Sequence, residues 1–312
     1  MTDSAKCPAL DWINLCRRGP PRGLKLCMRS GLRLRPRMRN LALVGLYAAN
    51  FIYYPAAEAE VDAATAAQVY AAAETREQMR PAYRAMPTQM RKIFAMRGSF
   101  TEERLAAVEA ATETSFREEI FEPVVIGALA TNLDSETASK ALEFLGGSLG
   151  RRLMAAQIAL ARLDQADTDR IMLGETAVPS TPQRDAMIVQ IEQAAKTAET
   201  TAAIFMTMEQ AVFDGSVLGT GNNLSPENER LRKKKEVRRV EIESQMREPL
   251  RRFLTYGYRD LSNDELAQIL NFIRSTEGRS YVQAYFVALQ EGYEAMGKSC
   301  GIEIAKKWQS IK

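Results

Sequence analysis

The chain has 312 residues, enough for one large or two small domains, and it contains no histidine. That removes the commonest general base, the usual partner of a Ser or Cys nucleophile and the commonest zinc ligand. Its formal charge of +3 comes from the N-terminus: residues 1–59 hold 10 of the 42 Lys and Arg and 3 of the 39 Asp and Glu, leaving 32 basic against 36 acidic residues, a charge of about −4. A nucleic-acid binder keeps a basic excess in its folded part, because phosphate neutralisation supplies most of the affinity, so the balance argues against nucleic acid as a partner.

The first residues read as a basic leader. Arg17, Arg18, Arg22, Lys25, Arg29, Arg33, Arg35 and Arg37 lie among Pro20, Pro21 and Pro36 with little apolar periodicity. Met38 to Glu60 then has the form of a secretory signal peptide: Arg39 is a short basic start, Leu41 to Tyr54 an apolar core, and Ala57-Glu58-Ala59 the small-x-small pattern of a cleavage site. Cleavage there starts the mature chain at Glu60, with translation beginning at Met1, Met28 or Met38. The apolar run is short for a bilayer span, which needs about 20 apolar residues, so no integral membrane span is expected in the mature chain. Arg17-Arg18 lacks the positions of a twin-arginine signal and no cysteine follows the apolar run, which favours the general secretory route and a periplasmic location. Cys7, Cys16 and Cys27 leave with the leader, so no disulfide framework remains around Cys300.

From residue 60 the composition is that of an all-α helical bundle, with the N-terminal segment outside the fold. Ala, Glu, Gln, Met, Leu, Lys and Arg dominate, and Gly and Pro fall between periodic stretches. Helices are expected at about 62–78, 82–96, 101–131, 135–145, 149–163, 182–213, 226–258, 262–274 and 277–308. Thr181-Pro182 and Ser225-Pro226-Glu227 each offer a capping hydroxyl and a proline at the first helical position. In Leu261-Ser262-Asn263-Asp264-Glu265-Leu266, Ser262 and Glu265 form a capping box and Leu261 and Leu266 the hydrophobic staple around it. Phe213 to Leu224, with Gly215, Gly219 and Gly221, reads as a loop.

Setting Leu133–Gln157 against Leu261–Tyr285 without a gap aligns Leu133 with Leu261, Leu142 with Leu270, Phe144 with Phe272, Gly150 with Gly278, Arg151 with Arg279 and Ala156 with Ala284. The repeated unit is a capped turn, a short helix, a tight Ser/Thr-x-Gly turn and a second helix, so the bundle is built from two related helix-turn-helix units. In the second copy Leu266, Ile269, Leu270 and Ile273 make one apolar stripe, and Tyr281, Val282, Tyr285, Phe286 and Leu289 the next. Such a hairpin cannot bury its stripe alone, so the copies are expected to pack together or beneath their long preceding helices. Gly150 and Gly278 serve either close backbone approach at the turn or no special purpose. The chain divides into a leader at 1–59, a helical region with the first repeat at 60–165, a helical connector and loop at 166–224, and a region with the second repeat at 225–312.

The motif Leu261-Ser262-x-x-Glu265-Leu266 followed by Phe272-Ile273-x-Ser275-x-x-Gly278 resembles a bacterial family of exported helical proteins, the domain of unknown function numbered two thousand and fifty-nine. The stretch from Leu133 to Gly150 matches the same pattern more weakly, with Gly146-Gly147-Ser148 in place of the usual polar approach to the turn. The resemblance implies an all-helical envelope protein and transfers no catalytic residues.

No catalytic, cofactor or metal site stands out. Glu118 and Glu122 lie four apart on one helix and are the acids to which a carboxylate-dependent hydrolase or transferase of envelope polymers would turn, with solvated helix surface as the plainer account. Asp164, Asp167 and Asp169 lack the glycine turn and terminal Glu of a calcium loop and read as helix capping near Arg170. Arg230, Arg232, Lys233, Lys234, Lys235, Arg238 and Arg239 form the densest basic patch, flanked by acids and without interleaved aromatics. A solvated helical face is the plainer reading of this patch, and core that of Tyr281 and Tyr285 in the tyrosine-rich second copy; together they are where an interaction surface would be sought. The overall expectation is an exported, non-enzymatic helical protein that binds a protein or envelope component and needs no cofactor.

Overall fold

The computed structural model describes residues 60–222 and 226–311, apart from the side chains of 226–237. The leader, with Ala57 and Ala59 at its expected cleavage point, lies outside these residues. Among the described residues there are twelve helices and no strand, so the chain is an all-α bundle. The first six are α1 (Ala63–Ala72), α2 (Thr75–Arg97), α3 (Glu102–Ser115), α4 (Glu118–Asn132), α5 (Ser135–Gly146) and α6 (Ser148–Ala161). A linking helix α7 (Gln165–Leu173) follows, then α8 (Pro182–Ala195), α9 (Thr197–Gly219), α10 (Pro226–Gly257), α11 (Asn263–Arg274) and α12 (Thr276–Ser310).

The caps do what their residue types allow. Asp62, Asp134, Asp164 and Thr181 each accept a backbone N–H from the first turn of the helix they precede. At α11 the capping box is complete: the Glu265 N–H donates to Ser262 Oγ at 3.2 Å and the Ser262 N–H donates to Glu265 Oε2 at 2.7 Å.

Several boundaries differ from the sequence expectation. The helix expected at 62–78 ends at Ala72, that at 182–213 is split at Lys196, and that at 101–131 is broken at Phe116 and Arg117. Glu74 and Lys196 adopt left-handed backbone, at φ 51° and 43°, and no glycine or proline marks either break. A left-handed conformation costs about 1–2 kcal/mol for a residue with a side chain. In both places the threonine that follows, Thr75 or Thr197, is buried. Conversely, α9 continues through Gly215 to Gly219, where a loop is expected. Its glycines lie against α12: a Cβ on Gly215 would stand 2.2 Å from the Lys298 carbonyl oxygen, and one on Gly301 would stand 2.1 Å from that of Val212. The two helices cross backbone to backbone.

The duplicated hairpins superpose in register. Asp134 and Ser262 cap helices of 12 residues each, and the next helices start at Ser148 and Thr276. The backbone bond of the turn recurs, the Gly147 N–H donating to Phe144 O at 3.2 Å and the Ser275 N–H to Phe272 O at 3.0 Å, while only the second copy adds a side-chain cap, Ser275 Oγ accepting the Gly278 N–H. Arg151 donates to the Gly146 carbonyl and Arg279 to that of Arg274. A Cβ on Gly150 would stand 2.2 Å from Phe144 O, and one on Gly278 would stand 1.8 Å from Phe272 O, so close approach fixes both glycines.

The duplication runs further than the sequence alignment. Glu74 and Lys196 hold the same place, each leading into a helix of 23 residues, α2 or α9. Each half is therefore a helix pair, a long helical span and a hairpin: α1–α2, α3–α4 and α5–α6, then α8–α9, α10 and α11–α12. The halves interlock, with α12 on α3 and α4 and α6 on α10. Buried side chains from Val61 to Trp308 form a continuous core, and residues 166–224, expected as a connector, place Ile188, Ile191, Ile204 and Met208 inside it.

Candidate functional site

Where the two hairpins meet, equivalent residues face one another. Phe144 and Phe272 stack with ring centroids 3.9 Å apart and planes 3° from parallel, the arrangement expected of two copies of one residue related by an approximate twofold axis. Behind this pair lies an apolar cavity of about 160 Å³. Its wall repeats the same equivalence, with Leu145 opposite Ile273, Leu153 opposite Tyr281, Met154 opposite Val282 and Gln157 opposite Tyr285, while Ala73 and Ala195 come from the two left-handed breaks. Leu250, Phe253 and Leu254 of α10, with Tyr258 just beyond it, close another side.

Of the polar groups in this wall, those of Gln78, Gln157, Tyr258 and Tyr285 bond within the protein. The Gln78 side-chain amide donates to the Ala73 carbonyl at 2.7 Å, and the hydroxyls of Tyr285 and Thr75 share a hydrogen bond of 2.8 Å, with Thr75 also donating to the Tyr70 carbonyl. Among the described residues, the buried polar side-chain atoms without a hydrogen-bond partner all belong to residues away from the cavity. Water held in such a space needs two to four polar partners, so a small, largely satisfied wall favours a dry interior. The titratable groups in the wall are Tyr258, Tyr281 and Tyr285. Burial pushes each phenol up, Tyr285 to about 12, and the wall carries no charge at neutral pH.

On the outer side of the phenylalanine pair is a more open surface groove of about 490 Å³. Lys140, Glu143, Ser148, Gln268, Ser275 and Glu277 line it, and so do Phe144 and Phe272. Lys140 and Glu143 are paired at 2.8 Å. Phe144 and Phe272 thus border both spaces.

The expected site residues fall in different places. Tyr281 and Tyr285, read from sequence as core or interface, line the cavity, Tyr281 with 7% of its surface exposed and Tyr285 half-buried, because α12 turns their face toward the first hairpin. Ser262, Glu265, Ser275 and Gly278 serve the cap and turn, while Phe272 serves the cavity as well. Arg238 donates twice to the Glu209 carboxylate, at 2.9 and 3.1 Å, and Glu209 also takes Arg97 at 2.7 Å. Arg239 lies 3.6 Å from Glu243. These two cations are charge-paired, and the side chains of Arg232, Lys233, Lys234 and Lys235 lie outside the described residues. Glu118 and Glu122 both close on Arg76, at 2.9 and 2.8 Å, as an ion-pair cluster at the surface. Asp164 caps α7 and Asp167 pairs with Arg170. Cys300 is fully buried against the Thr112 hydroxyl, and burial pushes its thiol up to about 12, which leaves no accessible thiolate for pairing between chains.

Sequence reasoning missed the first-copy wall, Leu153, Met154 and Gln157. The signal was in the duplication: the positions aligned with Tyr281, Val282 and Tyr285 are these three. Among the described residues no helix is long and apolar enough to cross a membrane. Comparison with known protein families, with curated proteins and with solved structures gives no match for this chain.

Proposed function

We propose that this chain is an exported, all-helical protein of the bacterial envelope that works by binding and not by catalysis. The observation that carries the reading is the cavity between the hairpins, walled by apolar and uncharged side chains drawn from both halves. Such a wall can take up an apolar group, but it presents no group poised near neutral pH to move a proton. The sequence supports export through the signal-like segment ending at Ala59 and the resemblance of the Ser262-to-Gly278 motif to an exported family. The fold supports binding through its construction. Two copies of one hairpin meet face to face, and their shared face is left incompletely filled.

The test is expression of the full chain in a Gram-negative host, followed by native mass spectrometry of the periplasmic and cytosolic fractions. The expected result is periplasmic protein starting at Glu60 with a small apolar molecule bound or readily taken up. Cytosolic protein that retains its leader contradicts the export reading.

A further inference from the structure

We propose that the space between the hairpins is a receptor for one small apolar group, a single aromatic ring or an aliphatic chain of about five or six carbons, and that the Phe144–Phe272 pair is the door through which it enters. The inference rests on the reading of this cavity as the binding site, and adds the ligand class and the route.

The size follows from volume. A space of about 160 Å³ is close to the ~150 Å³ of an engineered cavity lined by aliphatic and aromatic side chains, which stays dry and takes up benzene. Water competes poorly, because the wall's hydrogen bonds run within the protein. A charged ligand is opposed by desolvation with no counter-charge in the wall to offset it.

The route follows from the two phenylalanines. They are half-buried and border the interior cavity on one side and the surface groove on the other. Each sits near the C-terminal end of its short helix, a few residues before a tight turn. The two rings pack on each other face to face at 3.9 Å, so they part by a rotation of either side chain. The groove, at about 490 Å³, gives a displaced ring room to swing outward.

The test uses fluorobenzene as probe and 19F NMR on the folded chain from residue 60, measuring affinity and exchange rate together. The parent protein is expected to bind one equivalent. Val282→Phe, or Leu153→Trp if that variant does not fold, is expected to weaken binding at least about tenfold by filling the space. Phe144→Leu combined with Phe272→Leu is expected to raise the association rate constant at least about tenfold, as removal of a gate requires, whereas loss of wall contacts alone would weaken affinity through faster dissociation. If the parent binds, the plugged variant does not and the double variant associates at the parent rate, the door is overturned and the site stands. If fluorobenzene does not bind the parent, or binds both plugged variants as well as the parent, the site is overturned and the door with it. The compartment of the protein is measured separately by its N-terminus and is untouched by either result.

Discussion

At Gly278 and Gly150 the first turn of the second hairpin helix runs so close to the preceding carbonyl that a single added carbon would overlap it. The same restriction at two positions 128 residues apart makes the turn a constraint of the fold and not a local choice. Gly278→Ala and Gly150→Ala should each lower stability by about 1–3 kcal/mol in urea unfolding, the cost of overpacking a tight site. Retention of full stability in both would remove the close-approach account. Ser262 works by a different physics, supplying an acceptor to a backbone N–H that the helix leaves unpaired. Ser262→Ala should therefore cost about 1 kcal/mol. The capping-box bond from the Ser262 N–H, which Ser262→Ala keeps, holds the Glu265 carboxyl below its ordinary range, so the contribution of Glu265 is present at neutral pH and fades as acid protonates it. Thermal melts of parent and Glu265→Ala at neutral pH and at about pH 3 measure it, and a Glu265→Ala loss that does not shrink in acid contradicts the pairing.

Among the elements, α9 and α12 make the most intimate contact, and glycine decides it. Gly301 and Gly215 each lie where a Cβ would meet the partner helix's backbone, whereas the exposed Gly127 on α4 has open space around it. The two kinds of helical glycine should respond with opposite sign. Gly127→Ala should stabilise by up to about 1 kcal/mol through helix propensity, and Gly301→Ala should destabilise by forcing α9 and α12 apart. Chemical denaturation of the two variants beside the parent checks this, and the same sign in both would show that the crossing is looser than described. How much of this level could be read from sequence depends on what the elements share. The hairpins could be aligned because Phe144 and Phe272, Gly150 and Gly278, and Arg151 and Arg279 keep identity as well as place. The upstream pairs were harder to align: around Glu74 and Lys196 only Ala72-Ala73 and Thr75 recur, as Ala194-Ala195 and Thr197, a short match in an alanine-rich chain and at an offset of 122 and not 128. Gly215 and Gly219 suggested a loop because glycine marks a turn and a close helix crossing equally, and only the partner helix tells them apart.

For the whole molecule, the two halves share one core, and much of its buried polar chemistry consists of groups that stay protonated. Burial pushes the Tyr70, Tyr83, Tyr281 and Tyr285 phenols and the Cys300 thiol above their ordinary values, Tyr285 and Cys300 each to about 12. At neutral pH these groups are protonated in both the folded and the unfolded chain. As pH rises past about 9 to 10 the unfolded chain releases its protons first, so stability falls by up to about 1.4 kcal/mol per pH unit for each group until the folded value is passed. The urea midpoint should therefore drop steeply between pH 8 and about pH 11, and a flat profile would contradict the burial of these residues. The cavity belongs to this scale because neither half makes it alone: its wall needs Leu153 and Met154 from one hairpin and Tyr281 and Val282 from the other. Sequence left the tyrosines between core and interface because an amphipathic stripe shows which face is apolar without showing what covers it. The most direct measurement is diffraction from crystals of the chain from residue 60 pressurised with xenon, which enters dry apolar cavities. A xenon peak bounded by Phe144, Leu153, Phe272 and Tyr281 is the predicted result, and an empty or water-filled space there would contradict the account.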